Sequence, residues 1–222
     1  MISLLAMKER QNFAIAVGTI FIFIAFVAVS SWVFYKNIFR LSPDQIFELL
    51  PDAVSPCKEM SRCKLQAGDI LIRRHITERT WIFDKLANPY FTHVAFYLGD
   101  DQFIEAGGKE ENRKDDISVK TFSDSDWANS PPEKFVIIRP KNYLSKLDII
   151  KKNLESIADD PNYVFGLPTK KNKKTTCADL IFKTLLAEEI ILVSKTPKLI
   201  TPDYLFWITK TDPENFDVVG YN

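Results

Sequence analysis

The sequence predicts an α+β domain, in which short strands in the middle of the chain are flanked by helices. Three observations predict this class. Residues 92–98 and 103–106 are rich in β-branched and aromatic residues and are separated by Gly99-Asp100-Asp101, which indicates a hairpin. Apolar residues recur at helical spacing over 144–157 and again after Cys177. The 222 residues include only seven glycines and no low-complexity tract, which argues against a repeat or a largely disordered protein.

The amino-terminal part of the chain contains an uncharged apolar run at residues 13–35. As a helix this run would be about 34 Å long, which is enough to cross the hydrocarbon core of a bilayer. We therefore predict a short cytoplasmic segment at 1–12 and a single transmembrane anchor at 13–35. A cleavable signal peptide is the alternative, because Ala28-Val29-Ser30 resembles a cleavage site. In either case we expect the remainder in the periplasm or outside the cell, since long domains cross largely regardless of flanking charge.

A connector with one short helix is predicted at residues 36–66. Ser42 is a suitable N-cap in front of a proline, and Gln45 completes a capping box. Cys57 and Cys63 lie six residues apart in the same connector. These two residues either form a disulfide in an oxidising compartment or remain unrelated thiols, and metal binding would require two further ligands nearby.

The main domain is predicted to span residues 67–222. Its strands are expected at Ile70–Ile72, Thr92–Leu98, Phe103–Ala106, Lys134–Arg139 and Phe216–Val219. Its helices are expected at Glu78–Ala87, from Leu144 to Ile157, from Cys177 and from Thr201. The 29 basic and 29 acidic residues balance, which argues against nucleic acid as the main partner.

Cys177 lies at the start of an amphipathic segment and is the first candidate for chemistry. Thr176 is a predicted N-cap, and Asp179 occupies the third helical position. In the first turn of a helix, the dipole and the free backbone N–H groups favour a thiolate. A buried cysteine that only packs in the core is the commoner alternative.

A cysteine nucleophile needs a base within hydrogen-bond reach and a third group that orients the base. His93 lies in an apolar strand and Glu105 in the returning strand. A three-residue loop at 99–101 pairs Ala95 with Glu105 and places Glu105 on the same face as His93, about 7–8 Å away at Cα. A two-residue loop would move Glu105 to the opposite face. The alternatives are a hydrogen-bonded core histidine and a strand-end glutamate in solvent.

Three sequence blocks together resemble the NlpC-type papain-like cysteine hydrolases. They are Gly68-Asp69-Ile70-Leu71, the stretch from Thr92 to Ala106, and Thr176-Cys177-Ala178-Asp179-Leu180-Ile181. The histidine block precedes the cysteine block, as in the circularly permuted, YiiX/YebB-like branch. That branch has Cys-Ser-Glu-Leu-Val at the cysteine, so Ala178 and Asp179 depart from it, and Ala95 replaces a frequent Gly. The lecithin-retinol acyltransferase-like proteins share the order, but their Asn-Cys-Glu-His block is absent here.

The resemblance covers roughly residues 67–183 and implies a papain-like fold of circularly permuted order, with a central antiparallel sheet packed with helices. It implies Cys177 as nucleophile, His93 as general base, Glu105 as the orienting third member, and Tyr163 as a hydroxyl that helps to hold the oxyanion.

The activity that the resemblance implies is that of a membrane-anchored cysteine hydrolase, which cleaves an amide or ester bond through an acyl-enzyme. Cell-wall peptides and N-acyl or lipid-linked compounds are the implied substrates, and neither a metal nor an organic cofactor is implied. A non-catalytic lipid- or peptide-binding module on the same scaffold is the alternative.

Overall fold

The computed structural model describes residues 15–30, 38–50, 57, 59–75, 88–107, 117–130, 132–166, 173–194 and 196–222. The chain divides into two compact units, Met1–Ile38 and Phe39–Asn222. In the first unit, residues 15–30 form a helix, α1, whose large apolar side chains are exposed. No helix among the described residues combines the length and the apolar character that a membrane crossing requires. The predicted segment 1–12 and the remaining positions of the predicted anchor at 13–35 lie outside the described residues.

The second unit is built on one antiparallel sheet. The strands of its described part are β1 Ile70–Arg74, β2 His93–Gly99, β3 Gln102–Ala106, β4 Ile117–Thr121, β5 Lys134–Pro140, β6 Val164–Phe165, β7 Lys174–Thr175 and β8 Phe216–Tyr221. Six of them form the sheet in the order β4-β3-β2-β1-β5-β8, and every neighbouring pair is antiparallel. The short strands β6 and β7 form a separate parallel pair. The prediction of an α+β domain with a central antiparallel sheet is confirmed.

Helices flank this sheet in the described part of the second unit. They are α2 Pro43–Leu49, α3 Asp126–Asn129, α4 Leu147–Asp159, α5 Cys177–Ala187 and α6 Pro202–Lys210. Local capping signals start three of them, because Ser42, Thr176 and Thr201 each accept a hydrogen bond from the backbone N–H three residues further on. Ser42 and Gln45 form the predicted capping box. The helix predicted at Glu78–Ala87 lies outside the described residues.

Both faces of the sheet are covered, because its central strands carry apolar side chains on both sides. One face packs against α4, α5 and α6 through a cluster that includes Ile70, Val94, Phe96, Leu154, Ile181 and Leu205. The opposite face packs against α3 and the segment before β1 through Leu71, Ala95, Phe103, Trp127 and Met60. The sheet is therefore the middle layer of the second unit.

The segment predicted as a connector takes part in the core of the second unit. Leu41, Ile46 and Met60 are buried there. Cys57 and Cys63 form a disulfide with their Cα atoms 5.3 Å apart, so the structure contains the pair that the spacing allowed. This disulfide packs closely on β8, where a Cβ added at Gly220 would lie 2.8 Å from the sulfur of Cys57.

The hairpin between β2 and β3 differs from the prediction in its turn but not in its register. The loop has two residues, because Gly99 pairs with Gln102, so the predicted three-residue loop is wrong. Asp100 and Asp101 adopt φ of 50° and 61°, the left-handed conformation of tight hairpin turns, which aspartate tolerates. The register shifts between Tyr97 and Gly99, and a β-bulge adds one residue to its strand. Ala95 therefore still pairs with Glu105.

A buried carboxylate, that of Asp203 at the start of α6, joins three distant segments of the chain. It accepts hydrogen bonds from the backbone N–H groups of Leu41 at 3.0 Å, Tyr90 at 2.8 Å and Phe91 at 2.8 Å. Burial raises the pKa of Asp203 from 3.8 to about 6, against the lowering effect of these N–H donors. Asp203 thus fixes the chain just ahead of His93, the first residue of β2.

A second buried carboxylate, that of Asp69, lies immediately before β1. Asp69 is fully buried and is paired with Arg139, with Nε–Oδ1 and Nη2–Oδ2 distances of 2.7 Å and 2.8 Å. It also accepts from the N–H of Gln66 at 2.8 Å. Since β1 begins next to Asp69 and ends near Arg73, which pairs with His93, this ion pair lies at the end of β1 opposite the histidine. The Gly68-Asp69 block therefore serves to hold the sheet.

Candidate active site

Cys177 is the first residue of α5 and carries the one free thiol of the three cysteines. It is 7% exposed. Thr176 caps the helix, since its hydroxyl accepts a hydrogen bond from the N–H of Asp179 at 3.2 Å. The Asp179 carboxylate is held in turn by the hydroxyl of Thr175 at 3.1 Å and the ammonium of Lys183 at 2.8 Å. The first helical turn, which carries the sulfur, is therefore held by these hydrogen bonds and by the ion pair.

His93 lies where β2 packs against α5, with its side chain 13% exposed. Its Nε2 atom is 2.8 Å from Oε2 of Glu105. The Cys177 side chain lies near the same ring, close enough to raise the pKa of His93. The imidazole therefore links a thiol on one side with a carboxylate on the other.

Glu105 is 6% exposed and accepts three hydrogen bonds. Its Oε2 atom accepts from His93 and from the indole N–H of Trp127, both at 2.8 Å. Its Oε1 atom accepts from the ammonium of Lys120 at 2.8 Å. Trp127 is fully buried on α3, and Lys120 is half-buried on β4. The carboxylate is thus held at both oxygens by three different elements.

Cys177, His93 and Glu105 lie near the start of β2, next to the apolar clusters on both faces of the sheet. Cys177 belongs to the apolar cluster on the helical face, with Val94. Ala95 and Trp127 belong to the cluster on the opposite face. Since successive residues of a strand point to opposite faces, His93 shares the face of Ala95, opposite that of Val94. The site therefore depends on the packing of both layers.

The electrostatics of these three residues, which form the row Cys177–His93–Glu105, favour a protonated imidazole beside an ionised carboxylate. Burial lowers the pKa of His93, but interactions with the neighbouring Cys177 and Glu105 side chains outweigh it and raise this pKa from 6.5 to about 10. Burial also acts to raise the pKa of Glu105, yet His93 and Lys120 hold it well below its usual value of 4.5. A thiolate next to an imidazolium is the reactive form of a cysteine nucleophile.

The structure brings together three of the four residues predicted for the site, and the fourth, Tyr163, lies beside the β6–β7 pair that leads into α5. Tyr163 is half-buried just before β6, and the ammonium of Lys173 lies 5.3 Å from the centre of its ring. Among the described residues, no hydrogen bond joins its hydroxyl to Cys177 or His93. It remains connected to the nucleophile through the chain, because β6 pairs with β7, which leads into α5.

Sequence reasoning missed Trp127 and Lys120, although both touch Glu105. For Lys120 a signal existed, because Ile117 and Val119 alternate with polar residues, as expected for a strand. For Trp127 only the local N-cap at Ser125 was readable.

No cluster of His, Cys, Asp and Glu in the described part of the chain is arranged to hold a metal ion.

Comparison with known proteins adds no family. No protein-family model matches the chain, and no curated protein matches it either. The interpretation of the site therefore depends on its own geometry and on the sequence blocks.

Proposed function

We propose that this protein is a membrane-anchored cysteine hydrolase that cleaves an amide or ester bond through an acyl-enzyme. We further propose that its domain is an NlpC-type papain-like domain of circularly permuted order. The observation that carries the proposal is the row Cys177–His93–Glu105, in which His93 is hydrogen-bonded to Glu105 and lies close enough to Cys177 for the two side chains to interact. A nucleophile, a base and an orienting carboxylate in that order are the parts that acyl transfer requires.

The chemistry proceeds in two steps. In the first, the Cys177 thiolate attacks the carbonyl carbon, the bond to the leaving amine or alcohol breaks, and the His93 imidazolium gives its proton to the leaving group. In the second, His93 takes a proton from water as the water attacks the thioester. The carbon–sulfur bond then breaks, a carboxylic acid leaves, and the thiolate is restored beside the imidazolium.

The oxyanion of each tetrahedral intermediate requires hydrogen-bond donors. The backbone N–H of Cys177, in the first turn of α5, is available as one donor because the first N–H groups of a helix have no partner inside it. We assign the second donor to the hydroxyl of Tyr163. Tyr163→Phe is therefore expected to lower kcat by about 100- to 1,000-fold and leave Cys177 alkylation unchanged, since alkylation forms no oxyanion.

The proposed substrates are cell-wall peptides or N-acyl or lipid-linked compounds, acted on without a metal or organic cofactor in the periplasm or outside the cell. The apolar run at 13–35 supports a membrane location. The disulfide between Cys57 and Cys63 supports an oxidising compartment.

This location can be tested with protease added to intact spheroplasts. The protease should degrade the domain while the protein still fractionates with membranes. Full protection of the domain before lysis would contradict this location.

Alkylation of Cys177 by iodoacetamide tests the proposed activation, because the other two cysteines are joined in a disulfide. An ordinary thiol of pKa about 8.5 is only a few per cent thiolate at pH 7. We therefore expect His93→Ala to slow alkylation at pH 7 by at least about tenfold. His75→Ala, which changes the second of the two histidines, is the matched control and should leave the rate unchanged. Equal rates in the wild type and His93→Ala would instead favour a binding module on the same scaffold.

A further inference from the structure

The Glu105 carboxylate has more donors than a residue that merely orients an imidazole needs. Oε2 is shared by the ring N–H of His93 and the indole N–H of Trp127, and Oε1 is bound by Lys120, all at 2.8 Å. A carboxylate held at three points from three elements cannot rotate without losing a charge-assisted hydrogen bond. The position of Oε2 relative to His93 is therefore set by residues outside the row itself.

Trp127 is itself rigidly held. It is 1% exposed, and the guanidinium of Arg73 lies 4.1 Å from the centre of its ring. The helix that carries it, α3, is capped by Ser125, whose hydroxyl accepts from the N–H of Trp127 at 3.2 Å. The same helix packs against the turn Met60–Arg62, which lies inside the loop closed by the disulfide. An indole N–H fixed in this way is a defined donor.

We propose that Trp127 and Lys120 are positioning residues that hold the Glu105 carboxylate against His93 and share its negative charge, so that the imidazolium keeps enough acidity to protonate a leaving group. The inference rests on the proposed function for its role in catalysis. Each donor to Glu105 stabilises charge that would otherwise fall on His93. Removal of either donor therefore strengthens the hold of Glu105 on the imidazolium proton.

The charged and titratable groups around the Glu105–His93 pair come from three further positions. They are Cys177 on α5, Arg73 on β1 next to Trp127, and Lys120 on β4, while the two partners themselves lie on β3 and β2. Among these, Lys120 is the cation in direct contact with the carboxylate besides His93. The two contacts of 2.8 Å on either side of the carboxylate put the charge of Lys120 about 8 Å from the imidazolium. Its removal should therefore raise the titration midpoint of His93 by about one pH unit at an effective dielectric constant of about 30.

The experiment measures iodoacetamide alkylation of Cys177 from pH 4 to pH 12 in the full-length protein, so that an inflection raised above that of the wild type stays within the range. The variants are Trp127→Phe, which keeps an aromatic ring but removes the N–H, and Lys120→Met, which removes the charge. Trp207→Phe is the matched control, because Trp207 stacks on Tyr204 in α6 and makes no contact with Glu105 among the described residues.

The upper inflection of the rate profile reports loss of the His93 proton. We expect it to rise by about half a pH unit in Trp127→Phe, the order of one neutral hydrogen bond, and by about one unit in Lys120→Met. Trp207→Phe should superimpose on the wild type. A merely structural role would lower the stability of Trp127→Phe and leave the inflection in place.

Each outcome decides a separate question. An unmoved upper inflection in both variants overturns the inference if the wild-type rate still depends on His93. A wild-type rate that does not depend on His93 overturns the proposed function instead. If Trp127→Phe does not fold, the rate profile of Lys120→Met still tests the inference. The hydrogen bond from Trp127 is then tested by its indole N–H resonance, which should shift in Glu105→Gln.

Discussion

Replacement of Glu105 by Gln removes the charge that holds the His93 proton while keeping the size of the side chain. The amide oxygen can occupy the position of Oε2 and accept from His93 and Trp127, which turns the amide NH2 toward Lys120. Lys120 is 37% exposed at its side chain and can turn into solvent. The variant therefore keeps the row in place, and its main effect is electrostatic.

The magnitude follows from the distance and the burial. The Glu105 oxygen is 2.8 Å from Nε2, which puts the two charges about 4 Å apart, and both side chains are at most 13% exposed. At an effective dielectric constant of about 20, this separation corresponds to about 4 kcal/mol, or about three pH units. Because the pKa of His93 in the wild type is raised to about 10, Glu105→Gln should lower it to about 7.

Nuclear magnetic resonance of histidine-labelled protein measures this titration directly, since the chain has two histidines and His75→Gln assigns their signals. Glu155→Gln, which removes an exposed charge on α4, controls for the change in net charge. A midpoint for His93 in the wild type at or below 6.5 would refute the reasoning. So would a midpoint in Glu105→Gln within half a unit of the wild type.

Three further predictions concern stability. Asp203→Asn should reduce the free energy of unfolding, measured in urea, by about 3 kcal/mol. The reason is that one buried N–H then faces an amide donor and the other hydrogen bonds lose their charge. The control Asp124→Asn, at an exposed position, should change the free energy of unfolding by less than about 0.5 kcal/mol. Since folding lowers the pKa of Glu105, its contribution to stability is present above pH 4.5 and is lost as the pH falls. The wild type should therefore lose thermal stability more steeply than Glu105→Gln below pH 4.5. Melting temperatures of the two proteins that fall in parallel with pH would contradict this. Reduction of the disulfide between Cys57 and Cys63 should cost about 2 kcal/mol for so short a loop, measured as the shift of the urea midpoint on adding a reductant.

Local signals in the sequence were sufficient for the elements that carry the nucleophile and the base. The N-caps at Ser42, Thr176 and Thr201 are set by hydrogen bonds that span three residues, so they can be identified without tertiary structure. The pairing of Ala95 with Glu105 was also predicted, and it is present. The turn behind that prediction was wrong, because a β-bulge cannot be read from residue types alone and happens to restore the register.

The parts of the site that could not be predicted depend on contacts between distant residues. Trp127 reaches Glu105 across 22 positions, and Asp203 reaches Leu41 across 162. Neither contact has a periodicity or a spacing that a single sequence displays. For Tyr163, the resemblance assigns a role in holding the oxyanion, and that role stays a prediction.

The most direct test of covalent catalysis at Cys177 is mass spectrometry after brief exposure to p-nitrophenyl acetate at pH 7. A thiolate beside an imidazolium attacks the ester carbonyl, releases p-nitrophenol and keeps the acetyl group as a thioester. The peptide that contains Cys177 should gain one acetyl group, at least about tenfold faster in the wild type than in His93→Ala, and should lose it again as water attacks. Acetylation of lysines alone, or equal acetylation of Cys177 with and without His93, would contradict catalysis at this site.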